Sequence, residues 1–297
     1  MSETNKNIFF ILMILAMAGW GASWVNAKVL SSYINEYELI FLRNFFTIIT
    51  LIPVLIFTKK YFYINLRSLF LAVLASIIMI LYMKFYFLGT KFGTASLGGA
   101  LVTSLIPINT FIIMALFFGK KILKKDYIAL GIGALGVMTM LNAWSFSLTE
   151  ILSIENIYFL GAAIFWPLLT ITSSKITKTS PMVFTLYMYI ITTIIVLIFF
   201  MSPSDLKFET YDSIFWINIL CLAVIATTFS TSIYFIGIEK LGTNAVSSFI
   251  FLVPFFAIVL SVVFLKEEIS LSIIIGTVLT LFAVKLLNNI KIFKKEK

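Results

Sequence analysis

The sequence predicts an all-α polytopic membrane protein, with ten transmembrane helices arranged as two inverted five-helix repeats. Three observations carry that expectation. Of 297 residues, 61% are hydrophobic and 12% charged, with a mean hydropathy of +1.08, whereas a soluble domain is roughly 45–50% apolar and about 25% charged. The apolar residues gather in ten runs of about 18 to 25 residues, near the roughly 20 that a bilayer-spanning helix needs. Short pieces of the first half recur in the second.

The first run, 8–27, follows Lys6, and its Ala16-Met17-Ala18 resembles the cleavage site of a signal peptide. Hydrophobicity continues past Ala18 through Val25, so this run reads as a retained first helix. The next four runs are 38–58, 67–89, 95–118 and 126–143, and the last five are 156–174, 181–201, 213–237, 243–265 and 270–290. Barrel strands of roughly 9–11 residues with alternating polarity do not fit such lengths.

With ten spans both termini share a side. That side carries Lys6, Lys59, Lys60, Arg67, Lys120, Lys121, Lys124, Lys125, Lys175, Lys178, Lys240, Lys291, Lys294, Lys295 and Lys297, fifteen in all. The other side carries four, Lys28, Lys91, Lys207 and Lys266. Lysine and arginine accumulate on the cytoplasmic side, so both termini are expected in the cytoplasm of an inner-membrane protein. The net charge of +9 is therefore a topology signal and not a nucleic-acid footprint.

The recurrences divide the chain into repeats at 1–148 and 149–297. Tyr86-Phe87-Leu88-Gly89 followed by Lys91-Phe92-Gly93-Thr94 returns as Tyr234-Phe235-Ile236-Gly237 followed by Lys240-Leu241-Gly242-Thr243. Pro107 is matched by Pro254, and Trp20 with Lys28 by Trp166 with Lys175. Five spans per copy is an odd number, so the copies cross the membrane in opposite senses, an architecture found in secondary transporters.

Composition removes several chemistries. There is no histidine and one cysteine, Cys221, so no His or Cys metal site, structural disulfide or histidine proton relay is available. All thirteen acidic residues fall in loops, tails or span ends, which disfavours a buried carboxylate for proton coupling or cation binding and leaves an intramembrane enzyme without its usual acids and bases. Gly131-Ile132-Gly133-Ala134-Leu135-Gly136 fits the dinucleotide fingerprint, but it lies inside an apolar span, and its repeat partner around Gly276 does too; close helix packing explains it. Gly89 and Gly93 are read the same way. No phosphate-binding loop of the G-x-x-x-x-G-K-[ST] type occurs, so neither ATP coupling nor any cofactor is expected.

What the spans do contain is cationic, aromatic and hydroxyl groups. Arg43 and Lys84 lie within spans, where charge is costly, and with Lys28 they are expected to converge on an outer vestibule; Lys285 is assigned to snorkelling. Arg43, Thr47 and Thr50 share one face of span two, as Thr185, Tyr189 and Thr192 do on span seven; span three offers Tyr82 and Tyr86, and span eight Thr227, Ser230, Thr231 and Tyr234. Trp20 and Trp166 fall near mid-span, away from the interfaces where membrane tryptophans gather. The candidate substrate-binding set is therefore Trp20, Trp24, Arg43, Thr47, Tyr82, Lys84, Tyr86, Trp166, Tyr189, Ser230, Thr231 and Tyr234.

Trp20-Gly21-Ala22-Ser23 running on to Lys28, Arg43 in span two, and the Gly-Thr turns at Gly93 and Gly242 together resemble the drug/metabolite transporter superfamily, in its ten-span branch with two EamA-type repeats. The resemblance covers nearly the whole chain. It implies a carrier, by alternating access, of amino acids or related carboxylate-bearing metabolites, with export favoured. Another anionic metabolite, such as a nucleotide-like or organic-acid compound, is the alternative within transport, and a membrane-embedded enzyme or lipid-handling protein the one outside it. Partners are a small-molecule substrate and membrane lipid, without nucleic acid, and a homodimer stays open. One departure concerns a Gly-Glu pair frequent after spans four and nine: here those positions read Gly119-Lys120 and Lys266-Glu267.

Overall fold

A computed structural model describes residues 3–119, 121–145, 147–241, 249–250 and 252–288, and among these every regular element is helical. The first half comprises α1 (Glu3–Leu30), α2 (Glu36–Phe57), α3 (Leu66–Phe92), α4 (Ala95–Phe118) and α5 (Lys124–Met140), followed by the short α6 (Leu148–Ile151). The second comprises α7 (Ile154–Ser173), α8 (Pro181–Phe199), α9 (Ser213–Leu220), α10 (Ser230–Leu241), α11 (Leu252–Leu260) and α12 (Leu271–Asn288). A π-helix, Cys221–Phe229, joins α9 to α10, and a second, Ser261–Leu265, extends α11. Lys120, the tail lysines, Gly242 and Thr243 lie outside the described residues.

Polar residues at the ends of the apolar runs set the helix boundaries. Asn35 Oδ1 accepts from the N–H of Glu38 while Glu38 returns its carboxylate to the Asn35 N–H, a reciprocal cap that satisfies two orphan donors. Asn65, Thr94 and Asp212 cap α3, α4 and α9 from one side only, each side chain accepting a backbone N–H of the first turn. α5 ends at Met140, earlier than the expected 143, because Asn142 enters the left-handed region at φ 53, a conformation that asparagine tolerates and that stops a helix.

Among the described residues, seven helices are long and apolar enough to cross a membrane. α5 has 17 residues, and Leu252–Leu265 and Leu271–Leu287 are likewise shorter apolar helices. At 1.5 Å per residue, α5 reaches about 25 Å against a hydrocarbon core of about 30 Å. The outward surface is rich in large apolar side chains, with Phe57 84%, Phe117 76% and Phe199 72% exposed. Such a surface suits lipid and not water.

Helix neighbours follow a pattern. α1 packs on α11, α10 and the first π-helix; α7 packs on α4 and α3; α2 meets α8, and α5 meets α12. The α5–α12 crossing is close because Gly136 faces Gly276: a β-carbon on Gly276 would lie 2.5 Å from the Gly136 carbonyl oxygen. The G-x-G-x-x-G run is thus a packing surface on one side, and Gly131, with nothing within 4 Å, faces away. Phe159 on α7 is fully buried, and β-carbons on Gly89, Gly93 or Gly98 would come within 2.5–2.8 Å of its ring. The interior Pro167 is compensated across helices. Pro167 removes the N–H that the Ala163 carbonyl would accept, and Asn109 Nδ2 of α4 donates to that carbonyl at 2.8 Å, as freed backbone groups in apolar surroundings require.

Candidate substrate cavity

Between the helices lies a cavity of about 590 Å3. Helical spacing builds its wall: Trp20, Ser23 and Trp24 from α1, Thr103, Ile106 and Pro107 from α4, and Trp166, Leu169, Thr170 and Ser173 from α7 recur at three- and four-residue intervals. α2 adds Arg43, α3 adds Met79 and Tyr82, α8 adds Phe184, Thr185, Met188 and Tyr189, and the π-helix with α10 adds Ala226, Thr227, Thr231, Tyr234 and Phe235. α5 and α12 contribute nothing to it and buttress the bundle from outside.

Arg43 is the one charged residue in this wall among the described residues. Its Nε donates to Thr227 Oγ1 at 3.2 Å, which leaves the two terminal nitrogens of the guanidinium for other partners. No carboxylate is present among the described lining residues to pair with it, and a partly desolvated cation of this kind favours an anion. The π-helix explains why Thr227 is within reach. In that wider turn Thr227 Oγ1 donates to the Leu222 carbonyl and Ser230 Oγ to that of Ile225, both five residues back, at 2.8 and 2.9 Å. π-helical turns often occur at functional sites.

Two aromatic pairs also stand in the wall. Trp20 lies 5.1 Å from Tyr234 and Trp166 lies 4.7 Å from Tyr82, centroid to centroid. One pair therefore comes from α1 with α10, the other from α7 with α3.

The expected site residues separate into two groups. Trp20, Trp24, Arg43, Tyr82, Trp166, Tyr189, Thr231 and Tyr234 line the cavity. Thr47, Tyr86, Ser230 and Lys84 do not. Thr47 hydrogen-bonds the Arg43 carbonyl at 2.7 Å and contacts that of Ala223 at 3.4 Å, and Thr50 shares a hydrogen bond with Thr228, so this face holds α2 against the π-helix. Tyr86 donates to the Ser23 carbonyl at 2.7 Å and backs Trp24, with the two rings 4.4 Å apart. Ser230 is buried, its hydroxyl engaged by Ile225, against Gly19. The expected vestibule of three cations is corrected as well: Lys84 sits over the Tyr37 ring at 5.3 Å and Lys28 on backbone carbonyls of the α3–α4 turn, each satisfied apart from Arg43. Sequence reasoning passed over Met79, Thr103, Ile106 and Phe184 as wall residues. The interior Pro107 beside Thr103 and Ile106 is the signal that could have found that wall.

The two ends of the bundle differ. The cavity reaches Ser174 and Ile176 of the α7–α8 loop, and none of its described lining residues belongs to the loops at the opposite end. There Tyr33 donates to Asp212 at 3.0 Å, Tyr37 stacks on Phe200 at 4.8 Å, and Tyr211 stacks on Phe215 at 4.0 Å. The N–H of Phe215, helped by the Tyr33 hydroxyl, holds the Asp212 carboxyl below its ordinary range, so it stays charged at neutral pH, while burial and Asp212 push the Tyr33 phenol up. Among the described residues, the cavity extends to one end of the bundle and not to the other.

The model of the EamA-like transporter family matches residues 7–142 and 153–289 of the chain. A protein of Rickettsia felis named "S-adenosylmethionine uptake transporter" is 24% identical over 199 residues, 65% of this chain and 66% of its own length, and the protein of that name in Rickettsia conorii matches to the same extent. The chain thus spans just under two thirds of these relatives. The "Uncharacterized transporter YvbV" of Bacillus subtilis is 24% identical over 295 residues, covering 97% of this chain and 94% of that one. A solved structure described only as "Crystal structure of protein" superposes with a TM-score of 0.59 at 14% identity, over 94% of this chain and 96% of the other; at that identity the likeness concerns the fold.

Proposed function

The chain belongs to the EamA-like transporter family, and from that premise we propose that it carries a small carboxylate-bearing metabolite across the cytoplasmic membrane by alternating access. The observation that carries the substrate class is Arg43, the one charged residue among the described residues of a wall otherwise made of aromatic, apolar and hydroxyl groups. The guanidinium suits a carboxylate, and the two Trp–Tyr pairs suit a flat or cationic remainder. At about 590 Å3 the cavity is within the range of small-molecule sites, about 300–1,000 Å3. S-adenosylmethionine, named for the Rickettsia relatives, unites a carboxylate, a sulfonium and a purine and is the first ligand to try. A cavity between helices supports this reading over lipid handling.

Ten spans in two inverted repeats are part of the proposal. The helix neighbours support it, since exchanging α1 with α7, α3 with α9–α10 and α4 with α11 turns the α1–α11 contact into α7–α4 and the α1–α10 contact into α7–α3, while α2–α8 and α5–α12 map onto themselves. On this layout the end that the cavity reaches, at Ser174 and Ile176, faces the cytoplasm. In a Cys221→Ser background, single cysteines at Lys121 and Glu209 are expected to react with an impermeant maleimide from the cytoplasmic and external sides respectively. Reaction of both from one side overturns the layout.

The functional test is stabilisation of the purified protein by S-adenosylmethionine, followed by its uptake into proteoliposomes. A ligand that binds only the folded state raises stability as RT ln(1 + [L]/Kd). Trp20→Ala and Trp166→Ala are expected to weaken binding about tenfold each, about 1.4 kcal/mol, with the melting temperature of the ligand-free protein nearly unchanged. Unaltered affinity with a large loss of stability would show that the rings serve packing alone. If carboxylate ligands and their amides bind equally to the unmodified protein, the substrate class is wrong.

A further inference from the structure

Arg43 by itself leaves a carboxylate partly unpaired. Its Nε is engaged by Thr227 Oγ1, so a carboxylate must be taken end-on by the two terminal nitrogens, one parallel bond to each oxygen. Each oxygen then keeps a lone pair free. A complete seat needs further donors beside the guanidinium.

Three phenols interact electrostatically with that guanidinium: Tyr82, Tyr86 and Tyr189. Tyr82 and Tyr86 come from α3 and Tyr189 from α8, and α2, α3 and α8 pack on one another. The three are not equivalent. Tyr86 stands behind the wall and gives its hydroxyl proton to the Ser23 carbonyl at 2.7 Å. Tyr82 and Tyr189 line the cavity, are only 8% and 5% exposed, and make no hydroxyl hydrogen bond among the described residues. The Tyr82 ring is fixed by its neighbours, stacked on Tyr86 at 5.9 Å and set against Trp166 at 4.7 Å. Packing accounts for these rings but not for their hydroxyls, since phenylalanine would fill the same space. A polar group this deeply buried is unfavourable without a partner, and buried polar groups in folded proteins are nearly always paired.

We propose that Arg43, Tyr82 and Tyr189 form one anion seat, in which the terminal guanidinium nitrogens take both oxygens of a substrate carboxylate and the two phenols donate to the lone pairs that remain. The inference rests on the carboxylate reading above and deepens it. It gives the two hydroxyls a partner that arrives with the substrate. It also explains why an amide is a poor replacement: its NH2 group would meet the guanidinium, which has donors only.

Tyr82→Phe and Tyr189→Phe each remove one oxygen and keep the ring. The probes are S-adenosylmethionine beside its decarboxylated form and L-methionine beside its amide, measured by equilibrium binding to purified protein. Each variant is expected to lower the affinity for the carboxylate member of a pair about tenfold, about 1.4 kcal/mol, and to leave its counterpart unchanged. The melting temperature of the ligand-free variants should not fall, because the hydroxyls bond nothing there. Tyr86→Phe is the control: it breaks the bond to Ser23, so it should lower the melting temperature and leave the preference for the carboxylate intact. If the unmodified protein binds neither carboxylate probe, or binds each no better than its counterpart, the carboxylate reading fails and the seat with it. If the unmodified protein prefers the carboxylates and both phenylalanine variants keep that preference in full, the reading stands on Arg43 and the seat is overturned. Equal losses for both members of a pair also overturn it, by assigning the hydroxyls to the shape of the cavity.

Discussion

If S-adenosylmethionine is the ligand, as proposed, replacing Arg43 by glutamine is expected to lower its affinity about a hundredfold, about 2.7 kcal/mol, and to leave decarboxylated S-adenosylmethionine binding unchanged. The comparison isolates the carboxylate, because both ligands keep the sulfonium and the purine that the aromatic pairs would hold. Truncating one partner of a desolvated charge pair costs about 2–5 kcal/mol, so the estimate sits near the lower end, as suits a half-buried guanidinium. Glutamine keeps a donor near Thr227 Oγ1, the partner of Arg43 Nε, and the ligand-free protein should melt at nearly the same temperature. Equilibrium binding of the two ligands to purified wild type and variant checks this. Equal losses for both would assign Arg43 to holding α2 against the π-helix.

Gly276→Val is expected to destabilise the protein by about 3 kcal/mol, at the upper end of the cost of overpacking. At Gly276 the new atoms meet the Gly136 carbonyl and Met140, the latter's backbone nitrogen at 3.0 Å, so backbone must move and no side chain can swing aside. The helices would separate at their closest approach, where van der Waals contact between small residues is what holds membrane helices together. Gly131→Ala is the control. Nothing lies within 4 Å of that position, and replacing glycine in a helix interior is expected to stabilise by up to about 1 kcal/mol. Thermal melting of the detergent-purified variants distinguishes them, and similar shifts for the two would remove Gly276 from the crossing.

The helices, their approximate limits and the glycine crossings were legible in the chain because each depends on local composition: a run of apolar residues must be helical in lipid, and a glycine among them permits close approach. Pro107 and Trp20 with Trp166 were legible through the repeat. Arg43 could be singled out because charge within a span is costly wherever it points. Lys84 attracted the same reading and stands elsewhere, since a long side chain can lay its charge on a ring such as Tyr37, and sequence does not reveal which ring is near. The hydroxyl stripes fared unevenly for a related reason. A threonine at helical spacing can face a cavity, as Thr231 does, or tie two helices together, as Thr47 does, and only the position of the neighbouring helix decides. The π-helix at Cys221–Phe229 left no mark on the periodicity, yet it brings Thr227 to Arg43. The sequence by itself determined a helical membrane protein with cationic, aromatic and hydroxyl groups within its spans. Tertiary structure decided which polar groups meet in a cavity, and that Glu267 reaches the start of α4 from 171 or 172 positions along the chain, because these depend on contacts between segments that no local pattern encodes.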